Sequence, residues 1–243
     1  NFFVAAISLC RMSASAPFSP ILPTAFQQAL AATAQHLTTA LPPAASQTID
    51  DGIAEVTAAG LAHHALAAGQ LAPDFTLPDA QGRPLALATL LAQGPVVLTF
   101  YRGNWCPYCN VQLRAYQQAL PSLALRGATL LAISPQTPEL SSLTGSEKAL
   151  AFPVLSDVGN AVARQYGLAY GVGAQVAGTL RSVGIDLAAF NGTSDDELPL
   201  TATFVINTDG VIGWRWVEAS FKHRADPADI VRALEQLPVP QLA

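Results

Sequence analysis

The spacing of apolar and polar positions changes several times along the chain, and each change marks an element. From Thr24 onward, Phe26, Leu30, Thr33 or Ala34, and Leu37 recur at helical steps, which predicts a helix capped by Thr24 and stopped by Pro42-Pro43. A less regular helical stretch over 47–67 carries Ile49, Ile53, Val56, Leu61 and Leu66, so the two together predict an antiparallel helical arm. The stretch 73–87 reads as two short strands around a turn at 79–84, and 89–92 as a helical turn. Val96 to Tyr101 shows no alternation and is bounded by Gly94-Pro95 and Arg102-Gly103, the pattern of a strand buried on both faces. After Pro107 the apolar positions Cys109, Leu113, Tyr116, Leu120 and Leu123 return to helical spacing, and Ala128 to Ile133 reads as a second buried strand. That order predicts a right-handed crossover between parallel strands.

Further on, 139–151 is expected to be helical, 152–155 a short strand, and 160–166 a helix ended by Gly167. A helix over 172–183 and a loop over 185–197 make 168–198 an expected insertion beside the C-terminal strand edge. Residues 202–206 and 211–217 flank the turn Asn207-Thr-Asp-Gly210 as a β-hairpin. Asp226 caps the last helix, with Pro227 at its first position and Ile230, Val231, Leu234 and Leu237 on its apolar face. The expected division is a disordered leader over 1–20, a helical arm over 21–68 and an α/β domain over 69–240.

Composition narrows the function classes. The formal net charge of −5 offers no basic patch for a phosphate backbone or an anionic bilayer, so nucleic-acid and membrane partners are not expected. No run approaches the ~18 apolar residues of a membrane span. With 51% hydrophobic and 12% charged residues, the chain suits a compact globule. Three cysteines make no disulfide framework and fit a reducing compartment, which predicts a cytoplasmic location. The apolar start, Phe2 to Cys10, lacks a basic n-region and a small-residue cleavage site, so the expectation is a natural start at Met12 or a truncated N-terminus, with a clipped signal peptide as the lesser alternative.

The chemistry concentrates at Cys106 and Cys109, which open the helix that follows the central strand, with Pro107 near its first position. Unpaired N–H groups and the positive end of the helix dipole favour thiolate at Cys106. In C-x-x-C motifs of this kind a thiol pKa drops from about 8.5 into the range of roughly 3.5 to 7.5. Cys106 is then expected as a nucleophile, bare at the helix end. Cys109, one turn on, is expected to close a disulfide with it. Such a pair can also be half of a zinc site, or two buried thiols with no chemistry. Cys10, His36, His63, His64 and His223 supply no second pair at ligand spacing, and no metal or other cofactor is expected.

These residues resemble the thioredoxin superfamily and, within it, the peroxiredoxins of the alkyl hydroperoxide reductase C and thiol-specific antioxidant family. The resemblance covers about residues 70 to 238. It rests on Gly69-Gln-Leu-Ala-Pro73-Asp-Phe-Thr-Leu, Phe100-Tyr101, Phe152-Pro-Val-Leu-Ser-Asp157 and Thr203-Phe-Val-Ile-Asn207. More narrowly, Tyr101-Arg-Gly-Asn-Trp-Cys-Pro-Tyr-Cys109 with Gly184-Ile-Asp-Leu-Ala-Ala-Phe190-Asn-Gly is similar to a bacterial peroxiredoxin-like subgroup. The resemblance implies a thioredoxin fold with a central mixed sheet flanked by helices. It implies a thiol peroxidase acting on hydroperoxides and regenerated by a thioredoxin-like protein or a small thiol.

Counted from Phe100, the family's attacking cysteine falls on Cys109, its threonine on Cys106 and its loop proline on Arg102, which reverses the order that helix geometry assigns to the two sulfurs. The family's arginine falls on Thr201. Arg102 is a candidate for the missing positive charge, or else a solvated surface residue. Trp105 and Tyr108 are candidates for partner contact or for packing. Two further readings stay open: a thioredoxin- or glutaredoxin-like disulfide oxidoreductase, and a redox-dependent interaction module acting through the arm. The arm can cover its own domain or a neighbour's, so a homodimer is also open.

Overall fold

A computed structural model describes residues 24–237, and the leader expected over 1–20 lies outside them. The five-stranded sheet is built from β3 (Val96–Phe100), β4 (Thr129–Ser134), β5 (Val154–Ser156), β8 (Thr201–Ile206) and β9 (Ile212–Glu218), in the order β5-β4-β3-β8-β9. Strand β3 pairs parallel with β4, and β4 with β5, while β8 runs antiparallel to both β3 and β9. The sheet is therefore mixed, as the thioredoxin fold requires. All five residues of β3 are buried, because each face of the sheet carries its own core. Val96, Leu98 and Phe100 point to one side and Val97 and Tyr101 to the other, the alternation of an extended strand.

On the first face lie α3 (Leu87–Leu91) and α6 (Ala161–Gln165), with β1 (Thr76–Pro78) and β2 (Pro84–Ala86) forming an antiparallel hairpin at its margin. The second face carries α4 (Pro107–Ala124) and α9 (Pro227–Glu235). Upon α4 packs α1 (Ala25–Ala40), through Leu30, Ala34 and Leu37. A capping box at Thr24 starts α1, and the Thr24 hydroxyl also donates to Asp226, the N-cap of α9, at 2.8 Å. Helix α2 (Pro43–Ala58) packs against α7 (Ala174–Ser182). Gly52 permits that contact, since a Cβ there would sit 2.7 Å from Val176 Cγ2.

Two expectations are corrected. The second helix ends at Ala58 instead of reaching 67, because Gly60 adopts φ +65° and turns the backbone into a short 3₁₀ segment at Leu61–His63. The expected loop over 185–197 contains a helix, α8 (Leu187–Asn191), and β7 (Glu197–Pro199), which pairs with β6 (Ala169–Gly171). The Asp186 side chain accepts from the Ala188 N–H to start α8, and Gly192 at φ +68° ends it. Five residues are too few to show a helical period, so only those caps marked it.

Candidate active site

Cys106 is the N-cap of α4, in extended backbone at φ −88° and ψ 112°, and Pro107 occupies the first turn where its missing N–H costs nothing. The turn before it is held from several sides. The Asn104 N–H donates to Gln136 Oε1 at 2.8 Å, Gln136 Nε2 returns a bond to Asn104 Oδ1 at 2.9 Å, and Asn110 Nδ2 donates to the Asn104 carbonyl at 2.8 Å. Gly103, at φ +150°, must lack a side chain, since a Cβ would collide with the Trp105 indole nitrogen.

The structure brings all seven sequence-predicted residues into one neighbourhood and changes the setting of several. Cys106 is not bare: it is 1% exposed and Cys109 is fully buried. The expectation stopped at the helix end, whereas α1, α2, the C-terminal part of α7 and Phe221 close over that end. Cys106 nevertheless lines a cavity of about 190 Å³ beneath this cover, and Cys109 does not. Arg102 is buried, its guanidinium 3.8 Å from the Phe221 ring centre and 4.8 Å from that of Trp105. It is thus no solvated strand-end charge, and the aromatic faces offset part of its desolvation. Tyr108 packs edge-on to Phe221, the ring centres 5.9 Å apart, and is buried rather than turned outward to a partner. Trp105 fills the junction between the α4 core and the α7 core.

The residue that sequence reasoning missed is Arg224. Its Nη1 donates to Thr201 Oγ1 at 2.8 Å, while Nη2 lies 3.2 Å from Cys109 Sγ and 3.9 Å from Cys106 Sγ. The family resemblance places an arginine at position 201. Here Thr201 holds the guanidinium of another arginine, one that reaches in from just before α9. The only local signal was the basic run Lys222-His223-Arg224 ahead of the Asp226 cap. A buried network secures that segment: the Tyr116 hydroxyl donates to the Ala225 carbonyl at 3.2 Å and lies 3.0 Å from Thr203 Oγ1, with Gln112 Nε2 donating to it.

No carboxylate lies within salt-bridge distance of either buried guanidinium among the described residues. Burial pushes the Cys106 thiol up. A hydrogen bond from the Cys109 thiol, with the charges of Arg102 and Arg224, outweighs that and brings it down to about 5. Burial pushes Cys109 up as well, and the neighbouring Cys106 thiolate holds it well above the ordinary thiol range. Arg224 makes its shorter contact with Cys109, which alone would favour ionising that sulfur. Cys106 also feels Arg102 and occupies the helix end, so the single negative charge rests there. The arrangement is one thiolate facing a cavity, one thiol behind it, and two cations around the pair.

Residues 68–215 match the model of the AhpC/TSA family. A chloroplastic peroxiredoxin Q of Sedum lineare is 33% identical over 100 residues, which are 41% of this chain and 53% of that protein. Peroxiredoxin Bcp of Escherichia coli is 34% identical over 103 residues, 42% of this chain and 65% of that one. The matched stretches thus span less than two thirds of either relative. Among solved structures, peroxidoxin BcpB of Mycobacterium tuberculosis superposes with a TM-score of 0.57 at 25% identity, covering 71% of this chain and 98% of the other. Helices α1 and α2 precede the family-matched span, and Arg224 follows it.

Proposed function

This chain belongs to the AhpC/TSA family, and on that premise we propose that it is a thiol-dependent peroxidase, cycling the Cys106/Cys109 dithiol through its disulfide. The observation that carries the residue assignment is the ionised, cavity-facing Cys106 backed by a protonated Cys109. The Cys106 thiolate attacks the terminal oxygen of R–O–O–H. An S–O bond forms, the O–O bond breaks, and the R–O⁻ released takes a proton from solvent to leave as the alcohol. Arg224 and Arg102 stabilise negative charge as it passes from sulfur to the departing oxygen. The sulfenic acid on Cys106 is then attacked by the Cys109 sulfur. The S–S bond replaces S–O, and the hydroxyl leaves as water with the proton of Cys109.

Two electrons from an external dithiol, a thioredoxin-like protein or a small thiol, return both cysteines to the reduced state. A cytoplasmic location suits this cycle, since that compartment supplies the reductant. Among the described residues no helix is long and apolar enough to cross a membrane. Burial of both sulfurs argues against a folded protein disulfide as the substrate of the reduced chain, because its sulfurs would have to pass beneath the α1–α2 cover.

The order of the cysteines is tested with Cys106→Ser and Cys109→Ser chains, peroxide and a sulfenic-acid trap. Cys109→Ser is expected to accumulate a trapped sulfenic acid on Cys106, and Cys106→Ser to give none. Labelling retained only in the chain lacking Cys106 reverses the assignment.

A further inference from the structure

The cavity at Cys106 has walls that lie outside the family-matched span. Leu37 and Leu41 come from α1 and its C-cap, Ile49 from α2 and Phe221 from the segment before α9, all outside that span, while Leu180 of α7 and Trp105, within it, complete an apolar lining. Its polar groups are Cys106, Arg102, the Tyr108 hydroxyl, Thr38, Ser46 and the Asp50–Lys222 ion pair. An apolar body thus finds dispersion contacts here, while a peroxide group on that body finds the thiolate and a guanidinium. A cavity of about 150 Å³ lined by Leu, Ile and Phe holds benzene. The volume here, about 190 Å³, accommodates a ring or a branched alkyl group of that order, whereas an extended long acyl chain would have to project past the exposed rim residues Thr38 and Asp50 into water.

We infer that the N-terminal helical arm converts the thiol site into a roofed apolar pocket, open on one side, that selects compact aryl- or branched-alkyl hydroperoxides over both hydrogen peroxide and long-chain lipid hydroperoxides. This rests on the peroxidase reading and adds the substrate subclass and the residues that set it. Hydrogen peroxide makes no use of the apolar walls. A compact organic hydroperoxide buries its whole body against them as its O–O bond is presented to Cys106.

The test is the kinetics of the full chain with cumene hydroperoxide, hydrogen peroxide and a linear C18 hydroperoxide. The value of kcat/KM for cumene hydroperoxide is expected to exceed the other two, by roughly ten- to a hundredfold over hydrogen peroxide, the span set by burying one Phe-sized group. Ile49→Trp, which fills the pocket, and Leu37→Asn, which makes its wall polar, are each expected to reduce that ratio. A measurement on the unaltered chain stands beside the variants: 2-phenyl-2-propanol, the product alcohol, should compete with cumene hydroperoxide and change tryptophan emission through Trp105. Equal kcat/KM for all three peroxides with no competition by the alcohol overturns the selective pocket and leaves the peroxidase standing. Absence of thiol loss with every peroxide removes the peroxidase itself.

Discussion

At the scale of single residues, the site turns on where one negative charge resides. Cys106 ionises at about 5 because a thiol hydrogen bond and two buried arginines together exceed the penalty of its own burial. As pH falls through that value the thiolate takes up a proton and the nucleophile is lost; above it the charged form is full. The rate of thiol loss on adding peroxide is therefore expected to be flat from neutral pH down to about 6 and to fall with a midpoint near 5. A midpoint near that of a free thiol would show that the arginines do not act on this sulfur. Arg224→Met removes one of the two cations and should do two things. It should slow peroxide reduction by roughly 10²-fold, the usual cost of losing a charge-stabilising donor, and raise the ionisation midpoint of Cys106. A slower enzyme with an unmoved midpoint would give Arg224 a structural role only.

At the scale of elements, α4 and the segment leading into α9 have to be held in register, because the sulfurs ride on one and Arg224 on the other. Tyr116 joins them, since its buried hydroxyl bonds both to the Ala225 carbonyl and to Thr203 on β8. Tyr116→Phe leaves those groups without their partner and is expected to destabilise the chain by about 1–3 kcal/mol, measured by denaturant unfolding. An unchanged unfolding midpoint would mean that the network does not hold the segment. These elements were largely legible in the sequence, because long periodic runs such as α1 and α4 and fully apolar strands such as β3 carry their own signal. The short ones were not: α8 has a cap at each end and too few residues for a period.

At the scale of the whole molecule, reduction and oxidation differ by a buried charge. In the reduced chain the Cys106 thiolate balances part of the charge of Arg102 and Arg224. In a Cys106–Cys109 disulfide that anion would be gone, and two guanidiniums with no carboxylate partner among the described residues would remain under the cover. Uncompensated buried charge costs several kcal/mol, and the cheapest relief is to admit water by loosening α1 and α2. The oxidised chain is therefore expected to exchange backbone amides over 25–58 faster than the reduced chain, while β3 and β8 stay protected. Such loosening would also admit the reductant to sulfurs that the reduced form keeps covered. Equal exchange in the two redox states would count against it.

The sequence by itself determined the strand–turn–helix that presents Cys106 and Cys109, the parallel β3–β4 unit, the terminal hairpin and the capped last helix. Each of these depends on neighbours within a few turns or on a local period. Tertiary structure alone decided that Arg224, 115 residues from Cys109, supplies the cation beside Thr201, that Arg102 is buried between aromatic rings, and that the arm roofs the thiols. The physical reason is the same in each case. A long polar side chain or an amphipathic helix has a range of surfaces it can meet, and only the packed chain selects one.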